Sequence, residues 1–164
     1  RFSTYPLVDW DLTGPSADVL ASYAPNHFNG LITFPMDDFS NAHNLYTQVG
    51  DLAASWEQVD DLTLTFTLNR GVKFHNIAPV NGRELKASDV KFCYDLYKTT
   101  VAQGPTFEDV ESTTAVDDYT VQLKFAKPAA YFLQALLYPV SLIFAPEAYE
   151  DKASFATTPI GTWR

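Results

Sequence analysis

In "LTLTFTL", residues 62–68, Leu62, Leu64, Phe66 and Leu68 alternate with Thr63, Thr65 and Thr67. A period of two predicts a strand with leucine and phenylalanine inward and threonine outward. The pattern changes at "SDVKFCYDLYKTT". Val90, Cys93, Tyr94 and Tyr97 fall at i, i+3, i+4 and i+7, one apolar helix face, with Ser88 as expected cap, Asp89 in the first turn and Lys98 near the end. "VESTTAVDDYTVQLKFAKP" predicts a hairpin around Asp117-Asp118, with Val121, Leu123 and Phe125 alternating on its second arm. "AAYFLQALLY" predicts a short buried helix ending at Pro139. "VSLIFA" predicts a buried strand, Pro146 opens a helical turn "PEAYE", and "TTPIGTWR" is expected as a tail. Upstream, Ser22 is expected to cap a short helix ending near Phe28, Gly30 terminates it, and "LITF" is extended. "LAASWEQVDD" is only weakly extended. Strands and helices grouped out of strict alternation give an α+β expectation, with a mixed, largely antiparallel sheet and packed helices.

Composition narrows the function classes. The 164 residues carry 20 acidic and 11 basic side chains, a net charge of −9, so a nucleic-acid partner is not expected. One cysteine excludes an intrachain disulfide framework. No apolar run approaches the roughly 18–20 residues that cross a bilayer. Arg1 sits inside an extended phrase without an initiator Met, so the chain reads as a cut piece whose export signal is expected outside it.

The residues give no assembled chemistry. His27, His43 and His75 are far apart and lack metal-binding spacing, so no metal or cofactor is expected. The pairs Asp37-Asp38, Asp60-Asp61 and Asp117-Asp118 fall where turns are expected, and adjacent strand residues point to opposite faces. Cys93 lies on an apolar face, where a thiol packs rather than reacts. There is no nucleophile elbow and no phosphate-binding glycine loop, and no enzyme is expected. Three Trp, nine Tyr and twelve Phe exceed what a small core needs, so some are expected to line an apolar groove or an interface. Arg70, Lys73, Arg83 and Lys86 pose the open question of whether they form a charged site or decorate a turn.

The run "LAASWEQVDDLTLTFTLNRGVKFHNIAPVNGRELKASDVKFCYD" resembles family 5 of the bacterial extracellular solute-binding proteins, the oligopeptide, dipeptide and nickel receptors of ABC importers. Trp56-Glu57, the acidic turn at Asp60, the alternating strand, Arg70-Gly71-Val72-Lys73-Phe74-His75 and Ala87-x-Asp89-Val90 stand in the family's order. Asn69 replaces a common basic residue, and "NIAPVNGREL" is longer than the usual turn. "AVDDYTVQLKFAKPAAYFLQAL", "FNGLITF" and "PIGT" extend the likeness over nearly the whole chain, with Asn29 where Glu is frequent.

The resemblance implies the first lobe of a two-lobed, type II periplasmic-binding-protein-like fold. Residues 1–50 would start lobe I and residues 51–164 form its strand–helix–hairpin subdomain, with the second lobe outside this chain. It implies a receptor for peptides or similar small solutes, periplasmic or extracellular and compatible with a lipoprotein anchor, whose partners are the ABC permease subunits. The basic quartet then belongs to a scaffold turn. Ser16, Ala17 and Asp18 are the expected cleft-lining loop, and Phe107 a further wall. Two other classes stay open: an aromatic-rich extracellular protein-interaction module, and an enzyme whose catalytic residues lie beyond Arg164.

Overall fold

The computed structural model describes residues 28–35, 47–138, 141–151, 155, 158 and 160–163. Its centre is a four-stranded antiparallel sheet. Strands β3 (Ala53–Asp60), β4 (Thr63–Leu68), β6 (Val110–Asp117) and β7 (Thr120–Phe125) lie in the order β3-β4-β7-β6. Two small ribbons flank it: β1 (Ile32–Thr33) with β2 (Val49–Gly50), and β5 (Lys73–Phe74) with β8 (Thr162–Trp163). Helix α1 (Ala87–Tyr97) packs on β6 and β7. Three short helices follow: α2 (Gly104–Phe107), α3 (Phe132–Ala135) and α4 (Pro146–Glu150).

The alternation in β4 explains the sheet's inner face. Leu64 pairs with Leu123 and Phe66 with Val121, while Thr113 and Ala115 on β6 continue the same rows. Leu64, Phe66, Leu68, Val121 and Leu123 are buried, and the apolar face of α1, Val90, Cys93, Tyr94 and Tyr97, is buried with them. Leu62 departs from the expected pattern and is 40% exposed. It belongs to the β3–β4 turn, where its N–H donates to Asp60 Oδ1 at 2.8 Å. Asp117 accepts from Tyr119 N–H in the same way at 2.7 Å. Both aspartate pairs in described segments therefore make turns; Asp37-Asp38 and the Ser22 helix cap lie outside the described residues.

Helix α1 begins earlier than its serine suggests. Lys86 is the N-cap, and Asp89 at the third helical position reaches back to its N–H at 2.8 Å. A lysine side chain has no acceptor, so only this carboxylate half of a capping box operates. At the other end the hydroxyls of Thr99 and Thr100 donate to the carbonyls of Leu96 and Tyr97, which closes the helix without a glycine.

Two segments differ from expectation. "VSLIFA" forms no strand over its described residues 141–145, although Ser141 to Ala145 are buried. A single bridge joins Ile143 to Asn29. Instead α1 supplies the partners: Tyr97 Oη donates to Leu142 O at 2.5 Å and Cys93 Sγ to Phe144 O at 3.3 Å. Side chains thus satisfy carbonyls that a ladder would otherwise hold. The expected tail is also docked. Ile160 is buried, β8 pairs with β5, and His75 N–H donates to Gly161 O at 2.9 Å. Among the described residues three glycines are geometrically required, Gly82 through its φ of +70°. Gly71 has φ +76°, and a Cβ on Gly50 would meet Ala53 O at 2.2 Å.

Candidate functional site

Three of the four basic residues, Arg70, Arg83 and Lys86, have intramolecular side-chain partners. Arg83 grips Asp89 through both terminal nitrogens, at 2.8 and 2.9 Å, and Glu147 through Nε and Nη2, both at 2.6 Å. Its guanidinium also lies 4.9 Å from the Phe74 ring centroid. One planar fork therefore joins the β5–α1 excursion to the N-termini of α1 and α4. Lys86 Nζ donates to Tyr119 Oη at 2.7 Å and to Glu84 at 3.1 Å, with Asp118 at 3.4 Å. Arg70 stacks on the Tyr119 ring at 4.3 Å, and Glu84 accepts Gly71 N–H at 2.7 Å. The Gly71 amide, then Lys86 and Tyr119, hold the Glu84 carboxyl below its ordinary range. Arg83 does the same for Glu147. Lys73 sits exposed on β5, opposite Trp163 in the ladder. The quartet is scaffold.

A different surface offers itself to solvent. Thr106, Tyr131, Gln134, Ala135 and Tyr138 line an open hollow of about 340 Å³ where α2 meets α3. That lies at the small end for a ligand pocket and suits one substituent rather than a whole solute. Tyr131 is 45% and Tyr138 60% exposed, an unusual cost for two large rings unless something covers them. Tyr131 Oη donates to Asp109 Oδ2 at 2.8 Å, and Lys127 lies 3.1 Å from Asp109. Burial, then the Asp109 bond and charge, push the Tyr131 phenol up to about 12. Tyr131 first and Lys127 second hold the Asp109 carboxyl low. The hollow has ring faces, an amide and a hydroxyl, and no formal charge. It can pack against and hydrogen-bond to what enters it.

The expected site residues fall unevenly on this surface. Ser16, Ala17 and Asp18 lie outside the described residues. Phe107 is 0% exposed, its ring centroid 4.9 Å from Tyr94 and 5.6 Å from Tyr97 in tilted contacts and 5.6 Å from Phe132 edge-on. A ring with no exposed surface has no face to offer a solute, so Phe107 is a core residue here and not a wall. The residue before it, Thr106, points into the hollow. One residue along a helical turn rotates the side chain by about 100°, enough to exchange core for surface. Tyr131 and Tyr138 were missed as site candidates. Their signal was their spacing, seven apart on "YFLQALLY", which puts both on one side of a helical segment while Phe132 and Leu136 face the core. Cys93 is fully buried, and burial pushes its thiol well above the ordinary range. Among the described residues no group of three His, Cys, Asp or Glu is placed to hold a metal, and no helix is long and apolar enough to cross a membrane.

The described residues thus form an α+β lobe with antiparallel sheets, paired charges and an exposed hollow whose lining carries no charge. The model of the bacterial extracellular solute-binding proteins, family 5 Middle, matches residues 47–162, and the chain belongs to this family. The dipeptide-binding protein of Escherichia coli (strain K12) is 35% identical over 126 residues, 66% of this chain and 23% of that protein. The HTH-type transcriptional regulator SgrR of Escherichia coli O6:K15:H31 is 30% identical over 112 residues, 68% of this chain and 18% of that one. Among solved structures, Helicobacter pylori DppA in complex with peptide STSA superposes with TM-score 0.72 at 24% identity, covering 94% of this chain and 33% of that one. MoaA of A. tumefacien R10 in complex with mannopinic acid gives 0.76 at 22%, covering 94% and 31%. The fold is thus that of the first lobe of a periplasmic binding protein, and the chain spans between about a fifth and a third of these relatives.

Proposed function

We propose that this chain is part of the substrate-binding component of an ABC importer. It captures peptides or similar small solutes outside the cytoplasmic membrane, in the periplasm or at the cell surface, and presents them to the permease. The family match over residues 47–162 carries this reading. The peptide preference draws on the dipeptide-binding relative and on the peptide-bound neighbour. In this reading residues 51–164 are the rigid subdomain of the first lobe. The Ser16–Asp18 loop and the Tyr131–Tyr138 hollow are the parts of this chain that face the solute, and a second lobe completes the clamp. In this reading the solute is held and released unchanged.

Calorimetry on the full-length protein tests it. A mixture of di- and tripeptides is expected to give saturable heat that resolves to particular peptides on fractionation. Flat titrations across peptides, nickel chelates and sugars would overturn the reading. A second reading is favoured by the SgrR match: the same lobe could serve inside a regulator chain. A helix-turn-helix segment elsewhere in the full-length sequence, in place of an export signal, would select it.

A further inference from the structure

Three other surface hollows among the described residues contain charged side chains. One holds Asp60, Asp61, Glu111 and Lys124, one Lys91 and Asp95, and one Glu147, Glu150 and Asp151. The hollow at Thr106, Tyr131, Gln134, Ala135 and Tyr138 has none, in a chain where 31 of 164 residues are charged. Of the charges that act on Tyr131, Asp109 is paired with Lys127, and Glu108 is exposed at the end of α2 and is not part of the lining. A carboxylate or ammonium brought there would lose water and find no counter-charge in the lining, which is unfavourable. An apolar group would gain by covering two half-exposed rings.

We propose that this hollow takes one uncharged, apolar side chain of the bound peptide, and that Asp109 is the positioning residue that fixes the receiving Tyr131 ring. The inference rests on the solute-receptor reading and adds the chemistry of one subsite. The phenol proton of Tyr131 is committed to Asp109, so the ring is anchored at its far end and offers its face. The Asp109 side chain is only 11% exposed, and this burial holds the anchor in place, while its partner Lys127 is 66% exposed and adds little. Gln134 and Thr106 supply an amide and a hydroxyl able to meet the peptide backbone on either side. A pre-set ring costs less ordering on binding than a mobile one.

The test uses the full-length protein and a tripeptide series on one backbone, in which each position in turn carries Leu, Phe, Asp or Lys. At one position Leu and Phe are expected to bind at least about tenfold tighter than Asp and Lys. Tyr138→Ala and Gln134→Glu should each remove most of that preference, lowering affinity for Leu and Phe peptides while leaving Asp and Lys peptides within about twofold. Asp109→Asn should weaken the same Leu and Phe peptides. It should also raise phenolate absorbance at pH 10.5 relative to the parent, with Tyr131→Phe as the blank, a change that a merely structural role would not give. Peptide binding that these variants lower equally for all side chains, or leave unchanged, overturns the subsite while the receptor reading stands. If no peptide binds the unaltered protein, the receptor reading fails and the subsite fails with it.

Discussion

The two ends of this lobe use aromatic rings in opposite ways. Around Tyr119 the ring is enclosed by charge: Arg70 and Lys86 lie against its face at 4.3 and 4.2 Å, and its hydroxyl meets Glu84 and Lys86. Around Tyr131 the ring has one bond to Asp109 and an exposed face. The polar-rich end is already satisfied by intramolecular partners, so a solute arriving there would have to displace them. The hollow is unsatisfied only in the apolar sense. In the proposed receptor reading, then, the conspicuous cluster of charge belongs to the scaffold, and the exposed, anchored ring belongs to the surface offered to a solute.

The strongest challenge to that contrast lies between them, at Phe107. As a core ring it predicts that Phe107→Ala costs about 3–5 kcal/mol of stability, read from urea denaturation. The folded fraction would still show a side-chain preference at Thr106 and Tyr131. A variant with normal stability and lost affinity would return Phe107 to the solute-facing side. Arg83 comes next. Arg83→Ala strands Asp89, whose side chain is 3% exposed, and is expected to cost about 3 kcal/mol because a buried charge loses its partner. Glu147, at 40% exposure, is mostly wet, so Glu147→Gln should cost far less. Equal losses from the two would mean the fork holds α4 more tightly than it holds the sheet and helix.

How much of this was legible follows from whether a feature is local. The strand β4, the β6–β7 hairpin and the α1 face were readable because period-two and period-3.6 patterns act within one segment. The aspartate turns were readable for the same reason, since Asp60 and Asp117 bond amides two residues away. Residues 141–145 were misread because their partners are Cys93 and Tyr97, about 45–51 positions distant. The docking of β8 was invisible because Ile160, Gly161 and Thr162 find β5 across 86 residues. At the candidate site, Phe107 is buried while its neighbour Thr106 lines the hollow. Only the tertiary packing of Phe132 against Phe107 decides which neighbour looks outward.

Acid sharpens the contrast between the ends from another direction. The Glu84 and Glu147 carboxyls are held below the ordinary 4.5 by the Gly71 amide and by Arg83 respectively. A depressed folded value contributes stability that is fully present above the unfolded value and fades as pH falls through the folded one. Stability is therefore expected to hold from neutrality to about pH 4.5 and to decline below it. The decline should be smaller in Glu147→Gln than in the parent, and amide exchange should rise first in α4 and the β5–α1 excursion. Asp109, also depressed, by Tyr131 and then Lys127, starts from an ordinary 3.8 and should respond at lower pH than the two glutamates. Earlier loosening of the hollow than of α4 would reverse the ranking of the two regions.

The smallest predicted effect separates two tyrosines on one helix face. Tyr97 Oη donates to Leu142 O at 2.5 Å, whereas Tyr94 Oη is buried with no hydrogen-bond partner. Tyr97→Phe removes a made bond and leaves a buried carbonyl underused, a loss of about 1 kcal/mol. Tyr94→Phe removes a hydroxyl whose burial is uncompensated, and it keeps the ring that meets Phe107 at 4.9 Å in a tilted contact. Its expected change is between zero and about 1 kcal/mol of added stability. Both rings are fully buried, so lost packing is common to the two variants and cancels between them. Matched urea midpoints would test the difference directly. If Tyr94→Phe proved as costly as Tyr97→Phe, the Tyr94 hydroxyl must have a partner in the native protein, and the inner face of α1 would be as polar-satisfied as the charged end.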